Sequence, residues 1–487
     1  MAPDNKKKIS VDELQLHASP EKCWLLVNGA VWDLSDFAPE HPGVIHRHAG
    51  RDASAVYNDI HAPSLLENEL DNSKMIGYIA KDDSSSSSTT SLPSKESVGL
   101  TTETSANHHK GRRPLQTILS THDFEEAASE NLSAKAWAFF SSAATDCITK
   151  RANEAYFDRI WLRPRIMRDV KEIRYDTKML GVSIPMPLFA SPTAMAKLTH
   201  QDGELAIAKG CSKFGIPQTI STNASFPMAE ITSSVNNTFF FQLYVNKDRA
   251  ASEKLLRQAE ACGMRAVFVT VDQPTPGKRE ADERVKAEGT VLAPTPNGAT
   301  ASNDKKGSSL GRTMAGFIDP TLNWEDIKWI RKSTKLPLVL KGVQTAEDVI
   351  LAVKYGIDGL VLGNHGGRSL DTSPPSIMIL LELQQTCPDV FNHIEIFLDG
   401  GIRRGTDMFK ALCLGARAVG MGRHFLYAAN YGPEGVEQLI EIMQDEFETT
   451  MRMMGCTDLS QLHPGLLNLC DVEHWGNGLR PVSRSKL

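Results

Sequence analysis

The segment Gly363-Asn364-His365-Gly366-Gly367-Arg368-Ser369-Leu370-Asp371 puts an imidazole and a guanidinium three residues apart on a glycine-rich turn. Imidazole ionises nearest neutrality, so His365 can take a proton from a substrate. Arg368 offers a planar, permanently charged fork for a carboxylate or phosphate. The pair suits a substrate that must lose a proton while its anionic group is held. The preceding Gly359-Leu360-Val361-Leu362 is a short apolar run and reads as a buried strand. A turn whose glycines serve backbone geometry alone is the competing reading, and the rest of the chain decides between them.

Something must carry that turn to a site. After residue 113 short apolar strands alternate with amphipathic helices. The strands are expected at Pro187–Ala190, Gln218–Ser221, Phe239–Val245, Ala266–Val271, Leu338–Lys341, Gly359–Gly363, Glu395–Leu398 and Ala418–Met421. Helices are expected at Arg249–Cys262, Trp324–Ser333, Ala346–Tyr355, Ser376–Thr386 and Thr406–Leu414. Eight evenly spaced strand–helix units predict an α/β fold, a closed parallel (β/α)8 TIM barrel, over a doubly wound sheet. Active sites of such barrels lie where strands end. Six successive strand ends carry polar or ionisable groups: Gln242 with Tyr244, Thr270 with Asp272, Lys341, His365, Asp399-Gly400-Gly401 with Arg403, and Gly422-Arg423. The last two loops pair glycines with Arg403 and Arg423, the pattern of a phosphate site. A phosphorylated cofactor is therefore expected, with Lys341 placed to stabilise negative charge on a reduced flavin ring.

The whole chain has 487 residues, enough for two or more domains, with 41% hydrophobic and 23% charged residues. Its net charge of −6 speaks against nucleic acid as a partner. No apolar run is long enough to span a bilayer, so no membrane span is expected. No secretory or mitochondrial leader is visible at Met1–Ser10. The eight cysteines form no C-x-x-C pair and read as reduced thiols. Residues 82–112 are dominated by Ser, Thr, Lys and Glu, with an unbroken Ser/Thr run from Ser84 to Ser91. Such a segment cannot bury enough surface to offset its ordering entropy and reads as a disordered tether. The tail 476–487 ends in Ser485-Lys486-Leu487, which matches a peroxisomal address. A peroxisomal location is expected from it, with the mitochondrial intermembrane space or cytosol as alternatives.

Ser191-Pro192-Thr193-Ala194, Gln242-Leu243-Tyr244, Thr270-Val271-Asp272, Lys341-Gly342, Asn364-His365-Gly366-Gly367-Arg368 and Asp399-Gly400-Gly401-Ile402-Arg403-Arg404-Gly405 resemble the FMN-dependent L-2-hydroxy acid oxidases and dehydrogenases. The resemblance runs from about residue 115 to 475. It implies FMN held by Thr193, Ala194, Ser221, Gln242, Thr270, Lys341, Asp399, Gly401, Arg403, Gly422 and Arg423. It also implies His365 as base, Asp272 as its ion-pair partner, Tyr244 on the substrate hydroxyl, Arg368 on its carboxylate and Arg279 as a second, mobile arginine. The polar stretch Lys286–Leu310 resembles the poorly ordered active-site loop of that family. Two positions depart from the pattern. Phe139 stands where the family has a carboxylate-binding tyrosine, and Asn223 where it has Trp or Leu against the substrate side chain.

Residues 8–81 resemble cytochrome b5, a small α+β haem domain, through Val27-Asn28-Gly29, Trp32-Asp33-Leu34, His41-Pro42-Gly43 and Ala49-Gly50-Arg51-Asp52. That resemblance implies haem b ligated by His41 and His61; two axial ligands suit electron transfer and leave no open position. The segment after Gly43 is shorter than the family's by about three residues, close to one helical turn of 3.6. His46 and His48 are spare candidates. A b5-type domain tethered ahead of an FMN barrel (113–475) resembles the cytochrome-linked L-lactate dehydrogenases. This implies L-lactate or another small 2-hydroxy acid as substrate, cytochrome c or another one-electron acceptor, and a homotetramer. A peroxisomal oxidase passing electrons to oxygen and making hydrogen peroxide is the alternative.

Overall fold

The computed structural model describes residues 7–19, 22–36, 49–54, 57, 66, 70–79, 112–286, 291–292, 300–301 and 309–478. His41, His61, His46, His48, residues 82–111 and the terminal Ser485-Lys486-Leu487 lie outside them. The chain divides into two compact units, Met1–Ser105 and Ala106–Leu487.

The first unit is built on a five-stranded sheet, ordered Lys7–Ile9, Met75–Ile79, Ala30–Asp33, Lys22–Val27, Ala18–Ser19. Alternate side chains of a strand face opposite ways, and both faces are apolar here. Cys23, Leu25 and Val27 pack with Trp32 on one face, and Leu26 packs with Ile9, Leu14 and Val31 on the other.

The second unit is a closed barrel of eight parallel strands: Leu188–Thr193, Gln218–Ser221, Phe239–Leu243, Val267–Thr270, Leu338–Val343, Gly359–Leu362, Glu395–Asp399 and Ala418–Met421. The helix Ser376–Thr386 matches its expected bounds, and the other expected helices differ by one or two residues at an end. The third strand stops at Leu243, before the expected Val245. There the Tyr244 N–H leaves the ladder and donates to Thr222 Oγ1 at 3.1 Å. The stretch expected as an irregular polar loop contains a short antiparallel pairing of Val291–Leu292 with Thr300–Ala301. Its remaining residues between 287 and 308 lie outside the described ones.

Strand parity positions the site. Phe239 and Phe241 join the large apolar layer under the helices, while Phe240 points into the barrel with Phe189, Phe268, Val339, Val361, Phe397 and Ala418. Met179 and Ile184, from the hairpin Thr177–Met179/Val182–Ile184, join this inner cluster. The hairpin sits at the strand starts: the Leu180 N–H donates to Glu395 at 2.9 Å, and Glu395 opens the seventh strand. The N-terminal end of the barrel is thus plugged with apolar groups. Two residues further along each strand the inward positions turn polar: Ser191, Gln242, Thr270, Lys341 and Asp399. A further step brings Thr193, Tyr244, Asp272 and His365 to the open C-terminal rim.

Candidate active site

The turn carrying His365 runs through three consecutive left-handed residues, with φ of 58° at His365, 63° at Gly366 and 74° at Gly367. A histidine in that region is strained by about 1–3 kcal/mol, so its surroundings must hold it. A side chain on Gly366 would meet Arg423 at 2.6 Å, and one on Gly367 would meet the Lys150 backbone at 2.6 Å. Asn364 pins the turn: its side chain accepts from the Gly367 N–H at 3.0 Å. Behind it lies a reciprocal amide pair, Asn364 Nδ2 to Asn153 Oδ1 at 2.7 Å and Asn153 Nδ2 to Asn364 Oδ1 at 2.8 Å.

His365 Nδ1 lies 3.0 Å from Asp272 Oδ1 and Nε2 lies 3.3 Å from the Tyr244 hydroxyl. The carboxylate at Nδ1 selects the tautomer with its proton there, leaving the Nε2 lone pair free. The Asp272 carboxyl group is fully buried, and the imidazole is 20% exposed, opening to the cavity. Burial pushes the His365 pKa down further than Asp272 draws it up, so the net shift is downward. Burial alone would raise the Asp272 carboxyl, yet the imidazole and Lys341 hold it below its ordinary value. Gly342, with φ 102°, leaves room for that carboxyl: a Cβ there would collide with it. Tyr244 donates to Gln273 Oε1 at 2.9 Å, and burial together with the Asp272 charge pushes its own pKa upward.

Beside the imidazole, Arg368 donates to the Phe140 and Ser142 carbonyls at 2.8 and 3.0 Å. Its guanidinium lies 5.1 Å from the centre of the Phe139 ring. Arg279 is 4% exposed and approaches the Arg368 carbonyl at 3.4 Å. Burial, with Arg279 and Arg423 nearby, pushes the Arg368 pKa well below its ordinary value. Clustered guanidiniums at one end of a cavity call for an anion.

The same cavity is lined by Thr193, Ala194, Ser221, Gln242, Thr270, Lys341, Asp399, Gly401, Arg403, Gly422 and Arg423, so the expected cofactor residues converge with the expected substrate residues. Asp272 stands behind His365. Gln242 ties the floor together, accepting from Ser221 Oγ at 3.1 Å and donating to Thr270 Oγ1 at 2.8 Å. Lys341 Nζ lies 3.4 Å from Asp399 Oδ2. A phosphorylated flavin fits this set. Arg423 Nη1 is buried without a partner among the described residues. Gly400 and Gly401, at φ 105° and 90°, line the same cavity, and a side chain on them would meet Ser376 at 2.8 Å and the Asn153 carbonyl at 2.1 Å. Arg403 lines the cavity with its buried Nε unpartnered among the described residues, while its Nη2 is held by Glu125 at 2.7 Å and Glu154 at 2.6 Å, and Nη1 by His122 at 3.0 Å. A phosphate there meets an arginine already paired with two carboxylates. The sequence also left Gln273, Asn153 and Lys150 unmarked. Gln273 follows Asp272 directly and was open to notice, whereas Asn153 and Lys150 sit in an ordinary amphipathic helix.

A family model described as FMN-dependent dehydrogenase matches residues 128–469. The chain belongs to that family. Residues 10–80 match the cytochrome b5-like heme/steroid binding domain. The L-lactate dehydrogenase (cytochrome) of Saccharomyces cerevisiae is 41% identical over 96% of this chain and 81% of its own length. Glycolate oxidase 3 of Arabidopsis thaliana is 41% identical over 71% of this chain and 94% of its own. Among solved structures, the flavin-binding domain of baker's yeast flavocytochrome b2 is 41% identical, with a TM-score of 0.65, over 74% of this chain and 88% of that one. As a member of this family with a b5-type unit, the protein is an oxidoreductase with FMN in its barrel and haem in its N-terminal unit. No helix among the described residues is long and apolar enough to cross a membrane.

Proposed function

We propose that the protein oxidises a small L-2-hydroxy acid, L-lactate as reference, to the 2-oxo acid, and delivers the electrons by way of its haem to cytochrome c. One arrangement carries this reading: a neutral imidazole, oriented by a buried carboxylate 3.0 Å away, stands beside Arg368 and Arg279 in a cavity fitted to a flavin. Arg368 and Arg279 bind the substrate carboxylate. That contact points the hydroxyl at His365 Nε2, which takes its proton while Tyr244 bonds the oxygen. Asp272 stabilises the imidazolium so formed. Bound FMN would take the electron pair released as C2 gives up its hydrogen, and haem would pass the electrons on singly. Phe139 gives the carboxylate an aromatic face and no hydroxyl, which weakens its binding by about 1 kcal/mol relative to a tyrosine.

Anaerobic mixing with L-lactate tests the reading. Bleached flavin followed by reduced haem is expected, and unchanged spectra of both would sink it. The likeness to glycolate oxidases keeps an oxygen-using oxidase as the second reading. Peroxide under air with no cytochrome c reduction would favour that one. A homotetramer belongs to the same proposal, and sedimentation of the holoenzyme checks it.

A further inference from the structure

Asn223 is 8% exposed and lines the cavity that holds His365 and Arg368. Its backbone is engaged: the N–H donates to Ser221 Oγ at 3.1 Å, and the carbonyl accepts from the Met195 N–H at 3.2 Å. Its side-chain amide has no hydrogen-bond partner among the described residues. The place of that residue follows from where its strand ends. Ser221 pairs with Gln242. Past Ser221 the chain turns, the Ala224 N–H donating to the Ser221 carbonyl at 3.1 Å, and Thr222 ties the turn to the next strand: its N–H donates to the Gln242 carbonyl at 3.0 Å and its Oγ1 accepts from the Tyr244 N–H at 3.1 Å. Asn223 and Tyr244 thus lie just past the C-terminal ends of neighbouring strands, and both line the cavity. The Tyr244 hydroxyl meets His365. The free amide therefore belongs to the rim of the cavity, where Tyr244 and His365 also stand, beyond the strand residues Ser221, Gln242 and Thr270.

The polar side chains of that rim bond elsewhere and not to the amide. Tyr244 donates to Gln273, Arg368 to two carbonyls, and His365 is bonded to Asp272. Ala194, Met314, Ala315 and Ile318 line the same cavity and are apolar. An amide carries two donors and an acceptor, and taking one out of water without a partner is unfavourable. Its partner must come from what fills the cavity.

We infer that Asn223 makes the preferred substrate a 2-hydroxy acid whose side chain carries a hydrogen-bonding oxygen at C3, in place of the methyl group of lactate. This rests on the reading that the cavity oxidises L-2-hydroxy acids. A methyl group leaves the amide unpaired. A C3 hydroxyl donates to the amide oxygen or accepts from its nitrogen. Sites that bond a substrate hydroxyl discriminate strongly against the analogue lacking it.

L-glycerate and L-lactate differ by that one hydroxyl. Anaerobic flavin bleaching of the wild-type holoenzyme by either acid supports the oxidation reading before any ratio is compared. The kcat/KM of each acid is then measured for wild type and Asn223→Leu. Wild type favours L-glycerate, and Asn223→Leu moves the ratio towards L-lactate by about tenfold or more, with flavin content unchanged. An unchanged ratio overturns the inference and leaves the oxidation reading standing. Loss of flavin from Asn223→Leu overturns it too, by assigning the amide to the cofactor. Should that variant fail to fold, a wild-type preference for L-lactate over L-glycerate is sufficient to reject the inference.

Discussion

His365 works as a base only in its neutral form, and its burial favours that form. Its pKa lies below the free value of about 6.5, so the acid limb of kcat/KM lies below that pH. Activity falls as pH drops through the lowered value. Replacing Asp272 with Asn removes the charge that draws the imidazole pKa up. The acid limb of Asp272→Asn therefore moves to still lower pH while kcat falls, because the imidazolium formed in the reaction loses its counter-ion. A pH profile of both enzymes checks this, and an acid limb that moves upward would contradict it. His365→Gln keeps the flavin and loses about 10²–10⁴-fold in kcat, read by stopped-flow bleaching with L-lactate.

The elements hold these groups through backbone devices that tolerate little change. Gly342 has φ 102° and lies under the Asp272 carboxyl group. Gly342→Ala meets both obstacles. The backbone strain alone costs about 1–3 kcal/mol, and the displaced carboxylate lets the imidazole turn. The expected result is a lowered Tm together with a fall in kcat; full activity at a lowered Tm would detach Asp272 from His365. The strands were legible because their inward positions repeat with period two, from Phe240 to Gln242 to Tyr244 and from Phe268 to Thr270 to Asp272. Their polar ends stood out against apolar starts. The amide pair of Asn153 and Asn364 was not legible, since it joins residues 211 apart in sequence. Nor were the carboxylates on Arg403: Glu125 and Glu154 lie on helices whose charged faces look like ordinary solvated ones.

For the whole molecule, oxidation of the substrate and delivery of electrons belong to different units of the chain, and this separates their mutational signatures. Every residue assigned to proton transfer and anion binding lies in the second unit, among barrel strand ends and the loops that follow them. The resemblance to cytochrome b5 assigns the haem ligation to His41 and His61, in the first unit. Ligation by two imidazoles would saturate the iron, and on that assignment the unit would have no chemistry to perform on a hydroxy acid and would relay electrons one at a time. His41→Ala should then abolish the Soret band and cytochrome c reduction. The rate of anaerobic flavin bleaching by L-lactate should stay at the wild-type value, because no group that touches the substrate has changed. Bleaching that slowed in parallel with cytochrome c reduction would mean that the first unit takes part in substrate oxidation. Undiminished cytochrome c reduction would mean that electrons leave the flavin directly.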